Sequence, residues 1–155
     1  MSEAVSTLRS FEDFVPGLVL ELPPYAVTRE EIVEFAAEFD PQPFHLDEEA
    51  AKATLLGGLS ASGWHTCSMM MRMIVDGYLS GSSAQGSPGV EHVRWLRPVR
   101  PGDVLTGRST VLEARLSASR PQLGIVRIET ELANQAGEPV LNGVYSVFLK
   151  TRSAA

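Results

Sequence analysis

The sequence predicts an α+β fold in which an antiparallel sheet wraps around one long, buried helix. Three observations predict it. The chain up to residue 80 reads mostly as helical, after one short strand near its start. The longest run without a breaker pair, "SASGWHTCSMMMRMIVDGYL" (60–79), is apolar almost all round, as a buried helix requires. After the Gly/Ser-rich stretch "GSSAQGSPG" (81–89) the character turns extended, with four β-branched or alternating segments separated by turn signals.

The elements follow in order. "VPGLVLELPPYAV" is β-rich and bounded by prolines, which gives a strand over 17–22. "TREEIVEFAAEF" gives a helix over 28–39. Thr28 and Glu31 have capping-box spacing, and Ile32, Phe35, Ala36 and Phe39 recur at helical period. Pro41 and Pro43 end it. Asp47 opens a second, short helix with Glu48 and Glu49 in its first turn. "LLGGLSASG" is a Gly-rich break before the central helix, whose methionines are core filler by default. The strands are "VEHVRWLRPV", "DVLTGRSTVLEARL", "GIVRIETELAN" and "PVLNGVYSVFLKT", with "RPGD" (100–103) and "NQAGEP" (134–139) as turns. In "GIVRIETEL", Val126, Ile128, Thr130 and Leu132 alternate with Ile125, Arg127, Glu129 and Glu131, the pattern of a half-buried antiparallel strand.

At 155 residues the chain is expected to form a single domain, with flexible ends at 1–11 and 151–155. No apolar run approaches the ~20 residues of a membrane helix. "MSEAVSTLRSFEDF" lacks the pattern of a signal peptide. A single cysteine, Cys67, permits no internal disulfide, so the expected compartment is the cytoplasm. The net charge of −6 argues against nucleic acid as a partner. The charge is uneven: residues 1–80 carry 4 Lys/Arg against 13 Asp/Glu, and residues 81–155 carry 9 against 6. Eight of those nine are arginines, suited either to anion recognition or to a solvated strand surface. No His/Cys/Asp cluster has metal-ligand spacing, and no P-loop or dinucleotide fingerprint occurs, so neither a metal nor a cofactor is expected.

The stretch that asks for chemistry is "EFDPQPFH" (38–45). Asp40 and His45 are five residues apart, poorly spaced to share a helical face. Either the segment only stops one helix and starts the next, or two prolines lock a loop that aims a carboxylate and an imidazole at one point.

"FDPQPFH" resembles the signature of the MaoC-like (R)-specific enoyl-CoA hydratases, roughly aromatic–small–small–Asp–x–Asn–Pro–aliphatic–His. "LLGGLSASGW" and "VRWLRPVRPGD" resemble the segments that this family places at the start of its central helix and in the following strand. The resemblance covers about residues 12–150 and implies the hotdog fold. Two positions depart from the pattern: Gln42 stands at the usual Asn, and Phe44 at the usual aliphatic residue. Both bear on the acyl preference.

The resemblance implies addition of water to a trans-2-enoyl-CoA or related acyl thioester, with the thioester as substrate. That chemistry needs a base for water, an acid for the α-carbon, and donors for the enolate oxygen. The resemblance gives the first two tasks to Asp40 and His45, sharing one water. It gives the third to a helix N-terminus at "GGLSAS", with the Gly58 N–H as donor by motif match and Gly57 allowing close approach. Ser60 and Ser62 either cap the helix or touch substrate. His65 is expected to pack in the core and His92 has no assigned role. The resemblance also implies a homodimer with sites at its interface, where Arg94, Arg97 or Arg100 would meet CoA phosphates or form ion pairs. Two competing functions remain: a thioester hydrolase, disfavoured because residues 60–75 contain no Asp or Glu, and a non-catalytic acyl-CoA-binding module.

Overall fold

A computed structural model of the chain describes residues 10–154. The expected flexible N-terminus lies partly outside them. Within them, Ser10 is buried, and Phe11 opens a 3-10 turn whose ring covers Gly124, where any side chain would collide with it. At the other end Thr151 is buried and its N–H donates to the Gln122 carbonyl, while Arg152 pairs with Asp13 at 2.8 Å. Residues 151 and 152 thus have contacts with the body of the fold. Position 155 lies outside the described residues.

The hotdog architecture is as the sequence predicts. Among the described residues six antiparallel strands form one sheet: β1 (Val19–Ala26), β2 (Ala84–Gly86), β3 (Val90–Trp95), β4 (Val104–Leu116), β5 (Leu123–Ala133) and β6 (Pro139–Lys150). The order is β1-β4-β5-β6, with β2 and β3 both pairing with β6 along the far edge. The central helix α3 (Gly63–Ile74) lies against the sheet, preceded by α1 (Arg29–Phe39) and α2 (Glu48–Lys52).

Three boundaries differ from expectation. β1 runs on through Pro23 and Pro24 to Ala26, with a register shift between Leu22 and Tyr25. Prolines are tolerated there because β1 is an edge strand and its unpaired side needs no N–H. The short β2 lies inside the stretch read as a loop and pairs with Phe148 and Leu149 of β6. Third, α3 begins at Gly63, not at "GGLSAS", and passes at Val75–Leu79 into a wider π turn closed by a Ser80 N–H to Val75 carbonyl bond.

The π turn brings Tyr78 into the core, where four hydroxyls close a ring. Tyr78 Oη donates to Ser109 Oγ (2.9 Å), and the ring runs on through Thr130 Oγ1 (2.7 Å) and Tyr145 Oη (3.0 Å) back to Tyr78 (2.9 Å). β4, β5 and β6 each contribute one member, so neighbouring strands satisfy buried polar groups that would each be costly alone. Burial and the facing Tyr145 push Tyr78 well above the usual phenol range.

The alternation read in β5 holds: Val126, Ile128, Thr130 and Leu132 are buried. Met69, Met70 and Met73 pack in the core as expected. The helix is not buried all round, however. Trp64 is 63% exposed, and Met71 and Val75 share its outward side.

Candidate active site

The capping box places the first residue of the site. Thr28 Oγ1 accepts from the Glu31 N–H, and Glu31 Oε2 accepts from the Thr28 N–H, which fixes the start of α1. The helix ends at Phe39 because residue 41 is proline, and Asp40 becomes its C-cap, with a φ of −152° and ψ of 66° that leave the helical region. Pro43 then opens a 3-10 turn, Pro43–His45, which swings the imidazole back toward Asp40. The double-proline loop therefore does both things that were open in the sequence: it ends a helix, and it brings the two side chains together. Asp40 Oδ2 lies 3.5 Å from His45 Nε2, and His45 is buried.

Each group is held by its own partners. His45 Nδ1 lies 2.7 Å from the Ser60 carbonyl, which can only accept, so Nδ1 carries a proton and Nε2 faces Asp40. Asp40 Oδ1 accepts from the Gln42 amide at 2.6 Å, and Oδ2 accepts from the Ser62 hydroxyl at 2.6 Å. The Ser62 hydroxyl holds the Asp40 carboxyl below its usual range, against partial burial, with help from Gln42 and His45. The Phe44 ring meets the imidazole edge-on at 4.6 Å. Gln42 and Phe44, the two departures from the motif, thus both touch the pair. The extra methylene of Gln42 lies in the arm that grips the carboxylate.

Ser62 occupies the N-cap position of α3, yet its hydroxyl does not cap. Because that hydroxyl donates to Asp40, the first-turn N–H groups of α3 receive no side-chain cap. Gly63 and Trp64, which begin that turn, line a cleft of about 420 Å³ together with Asp40, His45, Ser60 and Thr66. Gly63 is there because nothing larger fits: a Cβ would lie 2.6 Å from the Trp95 ring, whose Nε1 donates to the Gly63 carbonyl.

Gly57 and Gly58 are elsewhere. Gly57 has a φ of +69°, a conformation that suits glycine. Gly58 faces Arg100 and Glu48, five residues before the helix. The structure does not place either at a helix N-terminus or in the cleft wall, because "LSAS" is irregular chain that buries Leu59 in the core. Ser60 contributes its carbonyl, while its hydroxyl is buried with no hydrogen-bond partner among the described residues.

A second, apolar cavity of about 380 Å³ adjoins the cleft. It shares Trp64 with it and is lined by Cys67, Met70, Val93, Tyr145 and Val147. A larger, open depression of about 900 Å³ at the other end of β5 and β6 holds Arg120 and Lys150 but no acid–base pair. His65 packs in the core as expected, stacked on Phe35 at 4.7 Å with its Nε2 3.3 Å from Glu31. Burial pushes its pKa down, against the pull of Glu31. His92 bonds Asn142 on the sheet. Among the described residues no group of three or more His, Cys, Asp or Glu is placed to hold a metal ion, and no helix is long and apolar enough to cross a membrane.

Sequence comparison matches the family model described as a MaoC-like domain over residues 13–134. The chain is 30% identical over 139 residues to the uncharacterized protein YdeM of Bacillus subtilis, covering 90% of this chain and 97% of that one. Among solved structures, a MaoC-like dehydratase from Rhodospirillum rubrum aligns with a TM-score of 0.85 at 42% identity, over 92% of this chain and 97% of its own. The (R)-hydratase PhaJ1 of Pseudomonas aeruginosa shares the fold, with a TM-score of 0.72 at 24% identity, covering 92% and 86%.

Proposed function

Because the chain belongs to the MaoC-like dehydratase family, we propose that it adds water reversibly to a trans-2-enoyl-CoA, or a related acyl thioester, to give a 3-hydroxyacyl thioester. The observation that carries this reading is the Asp40–His45 pair, 3.5 Å apart, in a cleft that also holds the uncapped start of α3.

In this reading a water molecule sits between His45 Nε2 and Asp40 Oδ2. Two strong donors make the Asp40 carboxylate a weak base, while the Ser60 carbonyl pins His45 in the tautomer with a bare Nε2. His45 therefore takes the proton, and ionised Asp40 orients the water and steadies the imidazolium. The water oxygen bonds to the β-carbon, and the double-bond electrons move onto the thioester oxygen as an enolate. The Gly63 and Trp64 N–H groups, aided by the helix dipole, stabilise that charge. The enolate then collapses, taking the proton from His45 at the α-carbon. Atoms and charge balance, and the reverse sequence is dehydration.

The apolar cavity behind Trp64 suits the acyl chain, since it offers almost no polar wall. The substrate test is interconversion: enzyme added to an enoyl thioester or to its 3-hydroxyacyl partner must drive both to one equilibrium mixture. Failure in both directions counts against the reading.

The assembly follows from the surface. β3 is an edge strand, and Val90, Trp95 and Leu96 are exposed along it. Trp95 meets Trp64 of α3 edge-on at 5.3 Å, which joins this edge to the exposed Met71 and Val75 of the helix. A continuous apolar face beside an open sheet edge needs a partner, and we infer a second copy of the chain. Light scattering should give a particle of two 16.8 kDa chains; a monomer at all concentrations would remove the dimer.

A further inference from the structure

Arg100 lies in the turn between β3 and β4, and the sequence left it between a phosphate contact, an ion pair and a solvated surface position. In the structure its guanidinium is occupied. Nη1 donates to the carbonyls of Gly58 (2.7 Å) and Leu59 (3.4 Å), and Nη2 donates to the carbonyl of Leu56. These carbonyls belong to an irregular stretch with no strand or helix to satisfy them. The Glu48 carboxylate of α2 also holds this stretch, accepting from the Leu59 N–H.

The arginine is itself fixed. Its N–H donates to Asp103 Oδ2 at 2.8 Å, and its carbonyl accepts from the Asp103 N–H. Asp103 is buried and also accepts from Gln135, and the turn is tied to Val27 in β1's exit by two backbone bonds. The preceding residue, Val99, accepts from the Ala61 N–H at 2.9 Å. A rigid turn therefore grips residues 56–61 from outside the cleft. The next atoms along the gripped chain are the two that hold the catalytic pair: the Ser60 carbonyl on His45 and the Ser62 hydroxyl on Asp40.

We propose that Arg100 is a positioning residue for the hydration site: its three-carbonyl clamp on the 56–59 loop sets the places of Ser60 and Ser62, and through them the geometry of His45 and Asp40. This rests on the hydratase reading above. A planar fork of five donors can span three carbonyls, and the ammonium group of a lysine cannot. Glu48 Oε2 and Arg100 Nη1 both lie beside Gly58, and Asp103 holds the Arg100 N–H; the groups facing Asp40 are His45, Ser62 and Gln42.

The experiment compares Arg100→Lys and Arg100→Ala with the unaltered protein, using both an enoyl-CoA and the same enoyl group on pantetheine, which lacks the nucleotide phosphates. A clamp predicts a fall in kcat on the order of tenfold or more, equal for the two thioesters, with KM little changed. Lysine should not restore the rate, and added guanidinium ions should partly restore it in Arg100→Ala. With the Ser62 bond loosened, the Asp40 carboxyl loses the main cause of its low pKa, so the acid limb of the rate profile moves to higher pH. Carbon NMR titration of the Asp40 carboxyl should show the same upward shift without any turnover. A loss confined to KM and to the CoA thioester would overturn the proposal in favour of a phosphate contact. Unchanged kcat and unchanged Asp40 titration would overturn it outright. If the unaltered protein has no hydratase activity, the function fails, while the titration still tests the clamp.

Discussion

Replacing His45 by Gln, or Asp40 by Asn, is expected to lower kcat by about 10²- to 10⁴-fold, the range for loss of a positioned general acid or base. The two variants fail for different reasons. In His45→Gln the new amide could still donate to the Ser60 carbonyl but offers no group that takes a proton from water at neutral pH. Asp40→Asn keeps the size and one acceptor oxygen but removes the charge that orients the water and steadies the imidazolium. It also places an amide where Ser62 and His45 now meet a carboxylate 2.6 Å and 3.5 Å away. Both variants should keep the far-ultraviolet dichroism of the parent, because neither side chain belongs to the main core. The double variant should be little worse than the worse single one, since the groups act as one unit on one water. Steady-state rates on one enoyl thioester check all three. A retained rate in both single variants would remove the pair from the chemistry.

The second large effect is expected at Gly63. A methyl group there would sit 2.6 Å and 2.8 Å from two atoms of the Trp95 ring. A rigid indole cannot yield as a flexible chain end would, so Gly63→Ala must push the start of α3 or the tryptophan aside. The N–H groups proposed to hold the enolate oxygen move with that turn. Loss of one such donor costs about 10²- to 10³-fold in kcat, and Gly63→Ala should fall in that range with a smaller change in KM. Trp95→Leu opens space for the added methyl. The double variant Gly63→Ala/Trp95→Leu should therefore recover part of the rate, a non-additive result measured by the cycle of four proteins. Strict additivity would separate the clash from the rate loss.

Much of this fold is legible in local signals. The Thr28–Glu31 capping box, the helical period of Ile32 and Ala36, and the alternation through β5 are written within a dozen residues. What escaped depends on neighbours distant in sequence. Pro23 and Pro24 read as the end of a strand, and only their place on the sheet's edge lets β1 continue. β2 has three residues and exists because β6 lies alongside. "GGLSAS" has the composition of a helix start, but burial of Leu59 and the Arg100 clamp hold it irregular and delay α3 to Gly63. The outward apolar side of α3 reads as buried because a helix apolar all round has no other stable place within one chain.

The site divides in the same way. Asp40 and His45 are recognisable because "FDPQPFH" resembles the family signature; the residues alone left a helix stop and an aimed acid–base pair both open. Ser62's grip on Asp40 spans 22 residues and Arg100's grip on Gly58 spans 42, and neither has a sequence signature. The sequence expectation of an oxyanion donor at Gly58 rests on a motif match that starts the central helix at "GGLSAS", whereas α3 begins five residues later, at Gly63.

The most direct test of hydration at this site is incubation of the unaltered protein with a trans-2-enoyl-CoA, following the conjugated enoyl absorbance, the 3-hydroxyacyl-CoA formed and any free CoA thiol. Hydration predicts loss of the absorbance matched by 3-hydroxyacyl-CoA, no thiol released, and the same final mixture reached from the hydroxyacyl side. Release of thiol would make the protein a thioester hydrolase, and tight binding with neither product would make it a binding module; either result contradicts hydration at Asp40 and His45.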